Sequence, residues 1–223
     1  MQMISLFFLA VIGTIYTLHR YCIKTRLWKR ILTICLFASL LIWTVYQGIL
    51  PFVQINIWYI IGSLAIVYPV YLLSLFIVGT KFTKDNLFPF SCFSIKGPLR
   101  QKLVKESLFN IYSSTYEELL FRWFFCNALF DLTHSHLLAI LITIIVFFAV
   151  HIRKGIAIVQ MLDILTFSLV ITLWFYFSVN PINCIIVHIL RNQLVICQKY
   201  VAIQKEIAKK QRYLKLMKGK NQP

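Results

Sequence analysis

Six polar residues inside one apolar run, Asn110, Ser113, Ser114, Glu117, Glu118 and Arg122, recur at i, i+3, i+4, i+7, i+8 and i+12. On a helix this spacing makes one polar stripe along a hydrophobic rod. Carboxylates and a guanidinium cost free energy in lipid unless they pair, so ionisable residues inside a span mark a functional site. Glu118 and Arg122 lie one turn apart and suit an intrahelical ion pair. Glu117 sits about 100° around the helix, on the face of Ser113 and Asn110, and has no cation within a turn. It is the carboxylate left for chemistry.

Two other apolar runs carry polar residues that loops do not explain. Phe147 precedes His151 by one turn, and His188 precedes Asn192 by one turn with Arg191 between them. A free carboxylate, two histidines, a carboxamide and an arginine suit hydrolysis of an amide. The acid takes a proton from water, and the donors stabilise the oxyanion. No serine or cysteine stands beside a histidine in a way that favours a covalent nucleophile. Asp163 and Gln160, one turn apart in a further run, are placed to pair with Arg191 or to line a cavity.

The elements that must hold these groups are transmembrane helices. Hydrophobic residues make up 60% of the chain and charged residues only 13%, with a mean hydropathy of +0.78. The length of 223 residues accommodates about seven spans of ~20 residues with short connections, and no separate soluble domain. The net charge of +16 does not point to nucleic acid, because the basic residues lie between apolar runs and in the tail. The positive-inside rule and anionic lipid account for them. Cys22, Cys35, Cys92, Cys126, Cys184 and Cys197 show no CxxC and no paired spacing, so they read as free thiols or small buried apolar residues. The first apolar run has no basic region before it and no cleavage site after it, so it reads as a retained span.

In chain order, an apolar run from Met3 to Leu18 meets a basic stretch containing His19, Arg20, Lys24, Arg26, Lys29 and Arg30. Runs at Ile31–Phe52 and Ile57–Gly79 follow, then a basic loop from Lys81 to Lys105 whose later half alternates leucines with cations as an interfacial helix would. The fourth run, Ser107–Leu132, holds the stripe; the fifth, His136–His151, returns to Arg153 and Lys154. The sixth is Gly155–Ser178 and the seventh Ile182–Ala202, before a lysine-rich tail. All basic segments then fall on one side. The expectation is an all-α polytopic membrane protein of about seven transmembrane helices, N-terminus outside and C-terminus cytoplasmic, in the cell membrane. Residues 1–106 would be N-terminal helices and a basic loop, 107–203 the catalytic core and 204–223 a basic cytoplasmic tail, either helical or a lipid-facing arm. On straight rods His151 and His188 would lie at opposite depths, so a tilt, or a break near Asn180-Pro181, is required.

EExxxR at Glu117, Glu118 and Arg122, FxxxH at Phe147 and His151, and HxxxN at His188 and Asn192, in this order on consecutive runs, resemble the CPBP family. That family comprises CAAX prenyl-protein endoproteases and bacteriocin-processing or immunity (Abi) proteins, and the likeness covers Ser107–Val201. The resemblance implies an intramembrane endopeptidase with a helical core open to the cytoplasm. By matching position, Glu117 and His151 would activate water, His188 and Asn192 would line the oxyanion site, and Glu118 with Arg122 would support them. No cofactor is favoured. A metal-free reaction is preferred, although zinc or another divalent cation could be held by Glu117, His151 and His188; the HExxH helix of zincins is absent.

The partners expected are a membrane-associated peptide or protein substrate and anionic lipids, with no nucleic acid. The absence of a soluble extension and the Ile-, Lys- and Phe-rich composition suggest bacterial peptide processing or bacteriocin self-immunity. Two rivals come from other classes. One is a non-catalytic membrane regulator that binds a sensor kinase or a lipid-linked partner. The other is a proton-coupled carrier, against which stands the lack of an inverted repeat.

Overall fold

The computed structural model describes residues 2–17, 26–47, 56–152 and 155–220, and within them every regular element is helical. Helices α1 (Gln2–Thr17), α2 (Arg26–Gln47) and α3 (Ile57–Ile77) precede a short helix α4 (Lys84–Leu87) and a 3-10 turn, Pro89–Ser94. The stripe lies on α5 (Gly97–Glu118), which runs through a π-helical segment, Leu119–Cys126, into α6 (Asn127–Thr133). Three more helices complete the chain: α7 (His136–His151), α8 (Ile158–Ser178) and α9 (Pro181–Lys220).

Local sequence sets these limits. The Asn56 and Ser135 side chains accept backbone N–H groups at the starts of α3 and α7, as N-caps do. Gly79 and Gly155, at φ 71° and 85°, occupy left-handed backbone after α3 and before α8, where a Cβ would be strained. At the α8–α9 hairpin Asn180 caps the next helix by accepting from Ile182 N at 2.9 Å. Pro181 takes the first helical position, where its missing N–H costs nothing.

Helix α9 is the axis of the bundle, packed against α3, α5 and α8. Around it the core is aromatic and aliphatic. Trp43 meets Phe8 and Phe124 edge-on with ring centroids 5.4 and 5.1 Å away, and Phe121 meets Phe147 at 5.2 Å. Helices α3 and α8 touch at Gly62, where an added Cβ would come within 2.8 Å of the Trp174 ring. The Trp174 indole donates to Ser63 Oγ at 3.0 Å. On the N-terminal side of α5, Glu106 takes Lys199 and Tyr200 at 2.7 and 2.9 Å, Cys92 and Cys197 bring their sulfurs within 2.8 Å, and Lys205 pairs with Asp85. Cys35, Cys92, Cys126, Cys184 and Cys197 are free thiols, and burial pushes the Cys92 thiol up to about 12.

Helices α3 and α8 are long and apolar enough to cross a membrane, and α7 and Ser5–Ile15 are shorter apolar helices. Of the helices that carry the site, α5 and α9 contain charge and α7 has only 16 residues, so length and composition alone do not mark them as spans. The expected fourth span is not one regular α-helix, because its second half winds as a π segment. The seventh does not stop at Ala202: α9 continues without a break through the basic tail to Lys220. The basic stretch at 18–25, the connection at 48–55, Cys22 and Arg153-Lys154 lie outside the described residues.

Candidate active site

The stripe splits into two rows as α5 packs. Asn110, Ser114 and Glu118, each four residues from the last, are buried against α9, whereas Ser113 and Glu117 form the accessible edge. Asn110 therefore sides with Glu118, not with Glu117 as the wheel suggested. Its carboxamide donates to Ile189 O at 3.0 Å and accepts from Ser114 Oγ at 3.0 Å, tying α5 to α9.

Glu118 is fully buried, and its Oε1 receives Arg122 Nη1 at 3.3 Å and His188 Nδ1 at 2.6 Å. Arg122, also fully buried, lies over the Phe147 ring at 3.9 Å, a cation–π contact that offsets part of its desolvation. Among the described residues, Glu118 Oε2 and Arg122 Nε and Nη2 have no hydrogen-bond partner. Buried polar atoms of this kind call for water or a reactant.

Glu117 faces both histidines. Its Oε2 is 3.4 Å from His151 Nε2 and 4.0 Å from His188 Nε2. His151 Nδ1 is 2.7 Å from Phe147 O; a carbonyl only accepts, so Nδ1 carries the proton and Nε2 is turned to Glu117. The carbonyl of the FxxxH phenylalanine thus orients the histidine one turn later. The two histidines converge on one carboxylate oxygen although His151 is the last residue of α7 and His188 lies within the first third of α9.

Asn192 lies one turn beyond His188 on α9, and its Oδ1 accepts from Arg191 Nη1 at 2.9 Å. Arg191 also binds Asp163 Oδ2 at 2.5 Å and Ser74 Oγ through Nη2 and Nε at 2.5 and 3.2 Å. Glu117, Glu118, Arg122, His151 and His188 thus meet in one cluster, while Asn192 turns its Oδ1 to Arg191. The ring of Phe167 packs against His188 and Arg191, at 4.8 and 5.0 Å. Sequence reading did not single out Phe167 or Ser74. The one signal for Ser74 is a serine in the apolar run of α3, a signal that Ser63 shares.

Residues 103–194, which contain Glu117, Glu118, Arg122, His151, His188 and Asn192, match a family of known proteases. The matching family model is that of the type II CAAX prenyl endopeptidase Rce1-like proteins. No curated protein and no solved structure matches the chain. The Rce1-like family is membrane-integral and implies a hydrolase of CAAX-protease type, in keeping with the apolar helices α3 and α8. The Rce1-like segment begins within α5 and ends within α9, so α1 to α4 and the end of α9 are outside it. Glu117, His151 and His188 carry donor types that bind zinc. Among the described residues, however, no group of three or more His, Cys, Asp or Glu is arranged to hold a metal ion.

Proposed function

We propose that this chain is an intramembrane endopeptidase that hydrolyses a peptide bond near the cytoplasmic membrane surface. The carrying observation is that His151 Nε2 and His188 Nε2 both turn to one oxygen of Glu117. In this reading a water sits beside the Glu117–His151 pair, within reach of both. Glu117 accepts its proton while the water oxygen bonds to the scissile carbonyl carbon. The oxyanion is met by His188, whose Nδ1 is held by Glu118 Oε1 at 2.6 Å, and by the Asn192 amide. The C–N bond then breaks, and the proton held by Glu117 passes to the leaving amine.

The same reading places the protein in a bacterial plasma membrane with about seven spans, the N-terminus outside and the tail cytoplasmic. Its substrate is a membrane-associated peptide or protein, in peptide or bacteriocin processing or self-immunity. No step uses a metal, so a chelator leaves cleavage unchanged; loss of activity restored by added zinc would assign Glu117, His151 and His188 to a cation instead.

The test is cleavage by the purified, membrane-reconstituted chain of peptides bearing apolar or prenylated termini. Glu117→Gln and His151→Ala should each lose about 10²- to 10⁴-fold in turnover. If both cut as well as the wild type, the site is not catalytic.

A further inference from the structure

Arg191 precedes Asn192 on α9, and adjacent residues on a helix do not ordinarily face one another. Here the guanidinium bends back and donates Nη1–H to Asn192 Oδ1 at 2.9 Å. Asp163 on α8 and Ser74 on α3 hold it in that pose. Nη2 reaches Asp163 Oδ2 at 2.5 Å and Ser74 Oγ at 2.5 Å, and Nε reaches Ser74 Oγ at 3.2 Å. Ser74 Oγ–H in turn donates to Asp163 Oδ1 at 2.5 Å, closing the ring. Arg191 and Ser74 are 9% and 5% exposed, so this is an interior fixture that spans three helices. Ser74 lies outside the Rce1-like segment, residues 103–194.

The chemical consequence falls on the carboxamide. Its two ends are nearly the same shape, and a half-turn about the terminal torsion exchanges them. In one orientation Asn192 offers N–H to a developing oxyanion. In the other it offers an oxygen, which repels it. A guanidinium only donates, so whatever faces Arg191 must be the oxygen, and the NH₂ is turned the other way. Phe167, packed against both Arg191 and His188, keeps that amide in register with the histidine one turn earlier.

We infer that Arg191, clamped by Asp163 and Ser74, is a positioning residue that fixes the carboxamide of Asn192 in its donating orientation. The inference rests on the peptidase reading. It assigns no direct contact between Arg191 and substrate, and it predicts that Arg191 acts only through Asn192.

The experiment is steady-state cleavage of one peptide by the full-length reconstituted chain, with thermal unfolding of each variant recorded alongside. The variants are Glu117→Gln, Asn192→Ala, the neutral pair Asp163→Asn with Arg191→Gln, and that pair combined with Asn192→Ala. Loss of one oxyanion donor should lower kcat about 10²- to 10³-fold, and the neutral pair should lose about as much, with KM held within about twofold. Adding Asn192→Ala to the pair should cost nothing more, because groups acting in series are not additive. A neutral pair with wild-type kcat, or losses that multiply, overturns the inference. Should the pair fail to fold, Ser74→Ala decides: kcat should fall about tenfold, as the loss of one supporting hydrogen bond predicts, and Ser74→Thr should recover it. Unchanged kcat in Ser74→Ala overturns the inference equally. Full activity in Glu117→Gln overturns the peptidase reading itself. An inactive Glu117→Gln with an unaffected neutral pair overturns only the role of Arg191.

Discussion

Two buried charge clusters lie within a turn of each other along α9 and are built in opposite ways. Around Arg191 one acid meets one base, and Ser74 and Asn192 take up the remaining bonds. Around Glu118 two acids meet one arginine and two histidines, and three polar atoms are left without a protein partner. A closed cluster of matched charges is a fixture, since every buried group has what it needs. An open one keeps free valences, and a reactant can use them. The difference separates scaffold from chemistry among residues of the same types, a few ångströms apart.

The sharpest way to break this contrast is to treat both clusters alike. Glu117→Gln should cost about 10²- to 10⁴-fold in turnover, equivalent to ~2.7–5.5 kcal/mol of barrier. Its unfolding temperature should change little, because Glu117 lies on the accessible edge with 26% of its side chain exposed. Asp163→Ala should do the reverse to the fold, since it strands the Arg191 charge in the interior at about 3–5 kcal/mol. Denaturation of the two variants side by side checks both. Equal stabilities would remove the distinction between open and closed clusters.

Much of this arrangement was legible from residue types and spacing. Periodicity placed the stripe on one helix, and the runs at His136–His151 and Ile57–Gly79 correspond to α7 and α3. The sequence leaves Asp163 either to pair with Arg191 or to line a cavity, and the structure shows the pair. Other features had no local signature. Ser74 meets partners 89 and 117 residues away, and a serine in an apolar helix more commonly bonds its own backbone, as Ser63 does to Tyr59 O. The π segment at Leu119–Cys126 has the same composition as an α-helix; its winding is a response to packing. It comes directly after Glu118, and Arg122 within it still reaches that carboxylate. Among the described residues α3 and α8 are long and apolar enough to cross a membrane, whereas α5 and α9 carry charge along their length.

The hairpin between α8 and α9 offers a milder probe of the closed cluster, because it sets the register of Asp163 against Arg191. Val179 sits there at φ 50°, a left-handed backbone that a β-branched residue adopts at a cost of about 1–2 kcal/mol. Val179→Gly should therefore stabilise the fold by about 1 kcal/mol, with kcat unchanged. A gain in stability accompanied by a loss of turnover would show that the strain itself holds the register on which Asn192 depends.

The smallest effect is expected where the same residue types meet water. Glu106, one residue before the span that Ser107 is expected to open, pairs with Lys199 at 2.7 Å with about a third of its side chain exposed. The hydrogen bond from Lys199 holds its carboxyl below the usual range, burial opposes that shift, and Tyr200 and the Lys199 charge add to it. A depressed folded pKa contributes stability that is full above the unfolded value of about 4.3 and is lost as pH falls through the lower folded value. Solvent screening keeps the contribution under about 1 kcal/mol. Wild type and Glu106→Gln should thus differ slightly in unfolding at pH 7 and converge below about pH 4, with the gap narrowing in high salt. A gap at pH 7 as large as that of Asp163→Ala would mean that burial does not set the strength of these pairs, and the contrast between the two interior clusters would lose its physical basis.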